Sequence, residues 1–144
     1  MVFNILGTIL GMLTFAIAGT LLYNPMHKWG QLWSEWSGMG EKMKDNKMSS
    51  ADMIFTFGGT FIAGALLSTG MNEVTHLSVL ATSKAWMSSS LFTAFVVWLA
   101  FFGVATFVNT VYNGSSKKLV GLHLINSLIE LLLVGLVLGL FPIK

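Results

Sequence analysis

Residues Leu119–Phe141 read LVGLHLINSLIELLLVGLVLGLF, an apolar run with a single acid, Glu130, set in its middle. The run is long enough to cross a bilayer, and no cation within it neutralises the acid. His123, Asn126 and Ser127 precede Glu130 by seven, four and three residues, so on a helix all four share one face. Lipid offers no hydrogen bonds, so such a stripe must face protein or water. The run reads as a membrane span carrying one polar seam.

The rest of the chain agrees. Of its 144 residues, 54% are hydrophobic and only 10% charged, with mean hydropathy +0.75. Soluble domains are about a quarter charged. A chain of this length holds one membrane domain, 1–144, with little outside the bilayer. Apolar segments run from Val2 to Tyr23, from about Ala51 to Thr69, from about Leu91 to Tyr112, and then through the Glu130 span, which Pro142 stops. Ala16-Ile17-Ala18 has the look of a signal-peptidase site. No Lys or Arg precedes that run, however, so it reads as a true span. The expected fold is all-α, an integral membrane protein with four transmembrane helices in an antiparallel bundle.

Four spans place the loops at 24–50 and 113–118 on one side. Lys28, Lys42, Lys44, Lys47, Lys117 and Lys118 lie there, against Lys84 and Lys144 on the other side. By the positive-inside rule the two loops are expected in the cytoplasm and both termini outside the inner membrane. The net charge of +2 thus reports topology rather than nucleic-acid binding, and the absence of arginine removes the usual base and phosphate contact.

In the first loop Trp29, Trp33 and Trp36 recur at helical spacing, with Leu32 between them and polar residues on the other face. Tryptophan favours the headgroup zone, so a short interfacial helix over about 28–37 is expected. It reads first as an anchor, with a lid over a pocket as the functional alternative. Gly38–Ser50 reads as a flexible linker, and Ser49 with Asp52 resembles a capping box opening the second span. The connector from Gly70 to Ser90 is expected to hold a short external helix lined by Val74, Leu77, Leu80 and Ala81. There Glu73 and His76 read as a solvated pair. Gly7-xxx-Gly11, Gly135-xxx-Gly139 and the group Gly58, Gly59, Ala63 and Gly64 have the small-residue spacing of close helix contacts.

Catalytic signatures are missing: no Gly-x-Ser-x-Gly, His-Glu-x-x-His, P-loop or paired carboxylates. No enzymatic activity is expected. No cofactor or metal is expected either. Cysteine is absent, and only His123 of the three histidines lies in a span. Met39 and Met43 stand a turn apart, but the methionines read better as apolar filler.

Three motifs carry a family resemblance. The first is Gly19, the Tyr23-Asn24-Pro25 turn, then Trp29 and Trp33. The second is Trp98-Leu99-Ala100-Phe101, leading to Asn109. The third is Leu122 to Asn126 with Gly135-Leu-Val-Leu-Gly139 beyond it. In these the chain resembles a bacterial family of small four-span membrane proteins known as domain of unknown function 1761 (DUF1761). The resemblance covers spans one, three and four. It implies the fold and topology above and no activity. At the position of Ile129 and Glu130 the family tends to carry an aromatic, so Glu130 is a departure from its pattern.

The candidate seam is therefore His123, Asn126, Ser127 and Glu130, with Asn109 and the threonines 106 and 110 of span three as expected partners. Gly19, Tyr23, Pro25, Trp33, Trp98, Gly135 and Gly139 are the turn and packing residues. A structural or accessory membrane component is the leading expectation, with Glu130 as neutral glue between helices. The alternative is a small proton, cation or solute transporter or channel, as an oligomer. The lipid bilayer is the expected partner, with a second copy or a larger membrane complex beside it.

Overall fold

The computed structural model describes residues 4–38 and 49–142, apart from the side chains of residues 52 and 53. Most of the Gly38–Ser50 linker, with Lys42, Lys44, Lys47, Met39 and Met43, lies outside the described residues, as do Val2, Lys144 and the Asp52 side chain.

Helix α1 spans Ile5–Tyr23 and α2 spans Lys28–Ser37. Helix α3 runs unbroken over Ser50–Thr82. The third crossing is α4 (Trp86–Val97), a π-helical segment (Trp98–Gly103) and α5 (Val104–Tyr112). Helix α6 covers Lys117–Leu140. Four stretches are long and apolar enough to cross a membrane: Ile5–Tyr23, Ile54–Thr82, Trp86–Tyr112 and Lys117–Leu140. The expected all-helical four-span architecture is present.

Cross-contacts give the antiparallel order. Asn4 Oδ1 caps α1 by accepting from the Gly7 amide at 2.9 Å, while its Nδ2 donates to the Phe141 carbonyl at 2.7 Å. That one side chain ties the start of α1 to the end of α6. At the other end Tyr23 meets His123. Thr8 pairs with Thr69, and Gly64 nestles against Met12, so α1 and α3 also run antiparallel. His76 lies beside Trp86 across the α3–α4 turn. In section α6 and α3 each pack against both α1 and α4, while among the described residues the backbones of α1 and α4 do not come close. Helix α6 is the most enclosed, with 44% of its span buried against 17% for each of the other three. Met71, Ala94, Val134 and Leu138 form the core.

Glycine placement explains the close packing of α6 on α4. A Cβ on Gly135 would sit 2.7 Å from Ala94 Cβ, and one on Gly139 would sit 2.6 Å from Met87 Sδ. These two glycines therefore serve packing within the chain. Gly58 and Gly59 have nothing within 4 Å, so the small-residue group expected on span two reduces to Gly64.

The largest correction concerns the Gly70–Ser90 connector. Residues 70–82 are not a separate external helix but the last turns of α3, and only Ser83–Ala85 link it to α4. Val74, Leu77 and Leu80 are 49%, 62% and 67% exposed, while Met71, Asn72 and Thr75 on the opposite side are buried. The segment is thus a span with an apolar outer face and a polar inner one. At 33 residues α3 is about 50 Å long, well beyond the hydrocarbon thickness.

Candidate functional site

The polar stripe of α6 sits where the helix is enclosed by α1, α2 and the π-helical segment. Ser116 starts the helix by accepting from the Leu119 amide at 3.3 Å, which sets its register. From there His123, Asn126, Ser127 and Glu130 face inward. Asn126 is fully buried, and Ser127 and Glu130 are nearly so.

Each stripe residue meets a different element. His123 Nδ1 shares a hydrogen bond with the Tyr23 hydroxyl at 3.2 Å, and the Tyr23 ring stands edge-on to Trp33 with centroids 5.4 Å apart. Asn126 Oδ1 accepts from the Trp29 indole, which reaches in from α2. Ser127 Oγ accepts from the Trp98 indole at 3.0 Å, and the same N–H also approaches the Leu124 carbonyl at 3.2 Å. Trp98 opens the π-helical segment, where a Cβ on Gly103 would lie 3.0 Å from the Trp98 carbonyl oxygen. Single π-helical turns inside α-helices are frequent at functional sites. Here one accompanies an indole turned onto the seam.

Helix α2 is held against the bundle from several directions. The Asn24 side chain accepts from the Met26 amide at 2.9 Å, closing the turn that contains exposed Pro25. Gly30 packs so tightly on Asn24 that a Cβ would run into its backbone oxygen. Lys118 Nζ lies 5.8 Å over the Trp36 ring. The short helix expected from the tryptophan spacing is present over Lys28–Ser37, and through Trp29 it reaches the seam.

Two stripe residues leave a buried polar atom without a hydrogen-bond partner among the described residues: Asn126, whose Nδ2 is unpaired although its Oδ1 accepts from Trp29, and Glu130, at its Oε1. Gly19 of α1 faces it, and a Cβ there would lie 3.5 Å from that oxygen. The carboxyl lines an open groove of about 550 Å³ between α1 and the first half of α3, otherwise walled by residues such as Leu13, Ile17, Phe57 and Phe61. The partners expected for it in span three are elsewhere. Asn109 is exposed, and the Thr110 hydroxyl donates back to the Thr106 carbonyl. A span-three tie fails because the side chains of α5 turn outward or bond within their own helix.

Sequence reasoning brought together His123, Asn126, Ser127 and Glu130. It placed Tyr23, Trp33 and Trp98 among packing residues, where the structure gives them polar or ring contacts to the seam. It missed Gly30, and it missed that Trp29 bonds Asn126. The tryptophan periodicity was the available signal for the latter. Among the described residues no cluster of three His, Asp or Glu side chains forms a metal-binding group. What the arrangement offers chemically is a carboxyl without a protein partner at an apolar wall. Such a group holds a proton or receives the cationic or donor head of a lipophilic solute.

A family model described as "Protein of unknown function (DUF1761)" matches residues 6–139, nearly the whole chain. No curated protein matches the chain, and no solved structure does.

Proposed function

This chain belongs to the DUF1761 family, and from the surroundings of its fourth span we propose that it is a small membrane transporter or channel whose working group is Glu130. The observation that carries this reading is the buried Oε1 with no protein partner, set in the wall of a 550 Å³ groove. Lipid cannot solvate a carboxylate, so the group is stable when it holds a proton or pairs with a cation. The apolar walls suit the body of a lipophilic cation, and Glu130 its charged head.

The groove is open on one side, which supports a second copy closing it and hence a homo-oligomer. Lysine asymmetry supports placing the α2 end in the cytoplasm and both termini outside the inner membrane. A structural role rests on Glu130 as glue to span three, and an accessory role on small size, short loops and the lack of catalytic motifs. Asn109 is exposed and Thr110 bonds within its helix, which weighs against the glue to span three and leaves the accessory grounds as they were.

Equilibrium binding of tetraphenylphosphonium to purified protein tests the proposal. Saturable binding that releases a proton, and that Glu130→Gln abolishes at unchanged melting temperature, is the expected result. No binding and no proton or cation flux in proteoliposomes, or binding equal in Glu130→Gln, would return the accessory reading to first place.

A further inference from the structure

Above Glu130, towards the α3–α4 turn, lies a second set of buried polar groups that the transport reading does not use. Ser68, Asn72 and Thr75 of α3 and Ser89, Ser90 and Thr93 of α4 are all at most 3% exposed. Spacings of four and three along α3, and of four between Ser89 and Thr93, keep each set on one helix face. The three-residue link at Ser83–Ala85 folds α4 back against α3, with His76 beside Trp86 at the turn, so the buried polar faces of both helices lie within the bundle.

Four of these side chains have no protein partner among the described residues: Ser68 Oγ, Asn72 Oδ1, Thr75 Oγ1 and Ser89 Oγ. Elsewhere in the bundle helical hydroxyls look after themselves. Thr14, Thr20, Thr60 and Thr82 each donate to the carbonyl four residues back at 2.7 to 2.8 Å. Ser68, Thr75 and Ser89 make no such bond, so their hydroxyls are left for something other than their own helices. Leaving four buried polar groups unsatisfied would cost a large share of a small domain's net stability. A small polar ligand with several partners removes that cost, and water needs two to four of them.

The set also has a direction. Ser68 to Thr75 rises about 10 Å along α3, and Thr75 to the helix end about 10 Å more. At its inner end Ser68 sits against α1 and α6: a Cβ on Gly11 would lie 2.5 Å from Ser68 Oγ and 3.5 Å from Val134 Cγ1. Val134 is one turn beyond Glu130 on the buried face of α6.

We propose that the polar face shared by α3 and α4 holds a file of internal water molecules through which Glu130 exchanges its proton with the membrane face opposite α2. At each hop one O–H bond forms on a water as another of its O–H bonds breaks, and the last proton released adds to the carboxylate, so the file carries one proton inward and its waters are otherwise unchanged. The titratable group that interacts with Glu130 itself is Tyr23 from α1, which also shares a hydrogen bond with His123 two turns back on α6. Among the described residues of α3 and α4 the titratable side chains are Glu73 and His76, and with Lys84 of the connecting link they lie near the α3–α4 turn. The proton-exchange half of this inference rests on the transport reading. The water file stands on the unpartnered oxygens alone.

The sign of a stability change tests the file. Where the oxygens are hydrated, Thr75→Val and Ser89→Ala strand waters and lower the melting temperature of the purified protein. Where they are dry, both variants remove an unsatisfied group and raise it. Lower values in both, together with a severalfold slower proton flux in proteoliposomes at wild-type tetraphenylphosphonium binding, are expected. A rise in melting temperature, or unchanged flux beside normal binding, overturns the inference and leaves the transport reading intact. A stabilisation by Na⁺ over K⁺ that Asn72→Leu abolishes also overturns it, in favour of a dehydrated cation. Absence of flux and binding in the unmodified protein removes the transport reading, while the melting temperatures still decide the file.

Discussion

The indole of Trp29 donates its hydrogen to the side-chain oxygen of Asn126, joining the surface helix α2 to the fully buried centre of the polar stripe on α6. A residue of the short helix after the first span thus supplies a hydrogen bond to the oxygen of a buried amide, whose Nδ2 has no partner among the described residues. Helix α2 and the seam are one structure.

Trp29→Phe keeps the ring and removes the donor. A stability loss of about 1 kcal/mol, the scale of membrane hydrogen bonds, is expected, together with faster proteolysis between α2 and α3. Gly30→Ala should act the same way, because its Cβ runs into the Asn24 backbone. Wild-type melting and proteolysis in both variants would show that α2 is not docked.

Gly135→Leu should destabilise the bundle by about 1–3 kcal/mol, the usual scale of overpacking, since Ala94 Cβ and the Ser90 carbonyl occupy the space its side chain needs. Gly58→Leu meets open space and serves as the control, with little change expected. Thermal melting in detergent compares the two. Equal effects would mean that α6 does not pack on α4 as described.

Glu130→Leu separates glue from ligand site. A tie between helices would make leucine destabilising, because its partners would be stranded. With no partner on Oε1 among the described residues, leucine should leave the melting temperature unchanged or raise it by up to about 1 kcal/mol in stability. A marked loss would restore the structural role of Glu130.

Orientation is read with single cysteines at Ala85 and Asn113, both exposed and at opposite ends of the bundle. An impermeant thiol reagent added to intact cells should label Ala85→Cys and spare Asn113→Cys. The reverse pattern would invert the topology drawn from the lysines.

Hydropathy alone was enough for the four spans, because each crossing needs about twenty apolar residues whatever its neighbours are. The spacing of His123, Asn126, Ser127 and Glu130 marked one face of the fourth span for the same local reason: helical periodicity lies within a single segment. The glycines at 135 and 139 were legible too, since close approach of backbones demands them wherever the partner lies.

What met those faces was decided only in three dimensions. Asn109 looked like a partner for Glu130 by composition, but the orientation of α5 leaves it exposed. Tyr23, Trp29 and Trp98, distant in sequence from the stripe, took the partner positions instead. Polar residues lowered the apparent hydropathy of 70–90 until the segment resembled a loop. Buried against α4, the same residues form the inside of a continuous span, because a polar side chain shielded from lipid by a neighbouring helix does not end a crossing. Hydropathy sums a segment's own residues, whereas burial depends on which helix stands opposite. That second quantity exists only once the chain has folded.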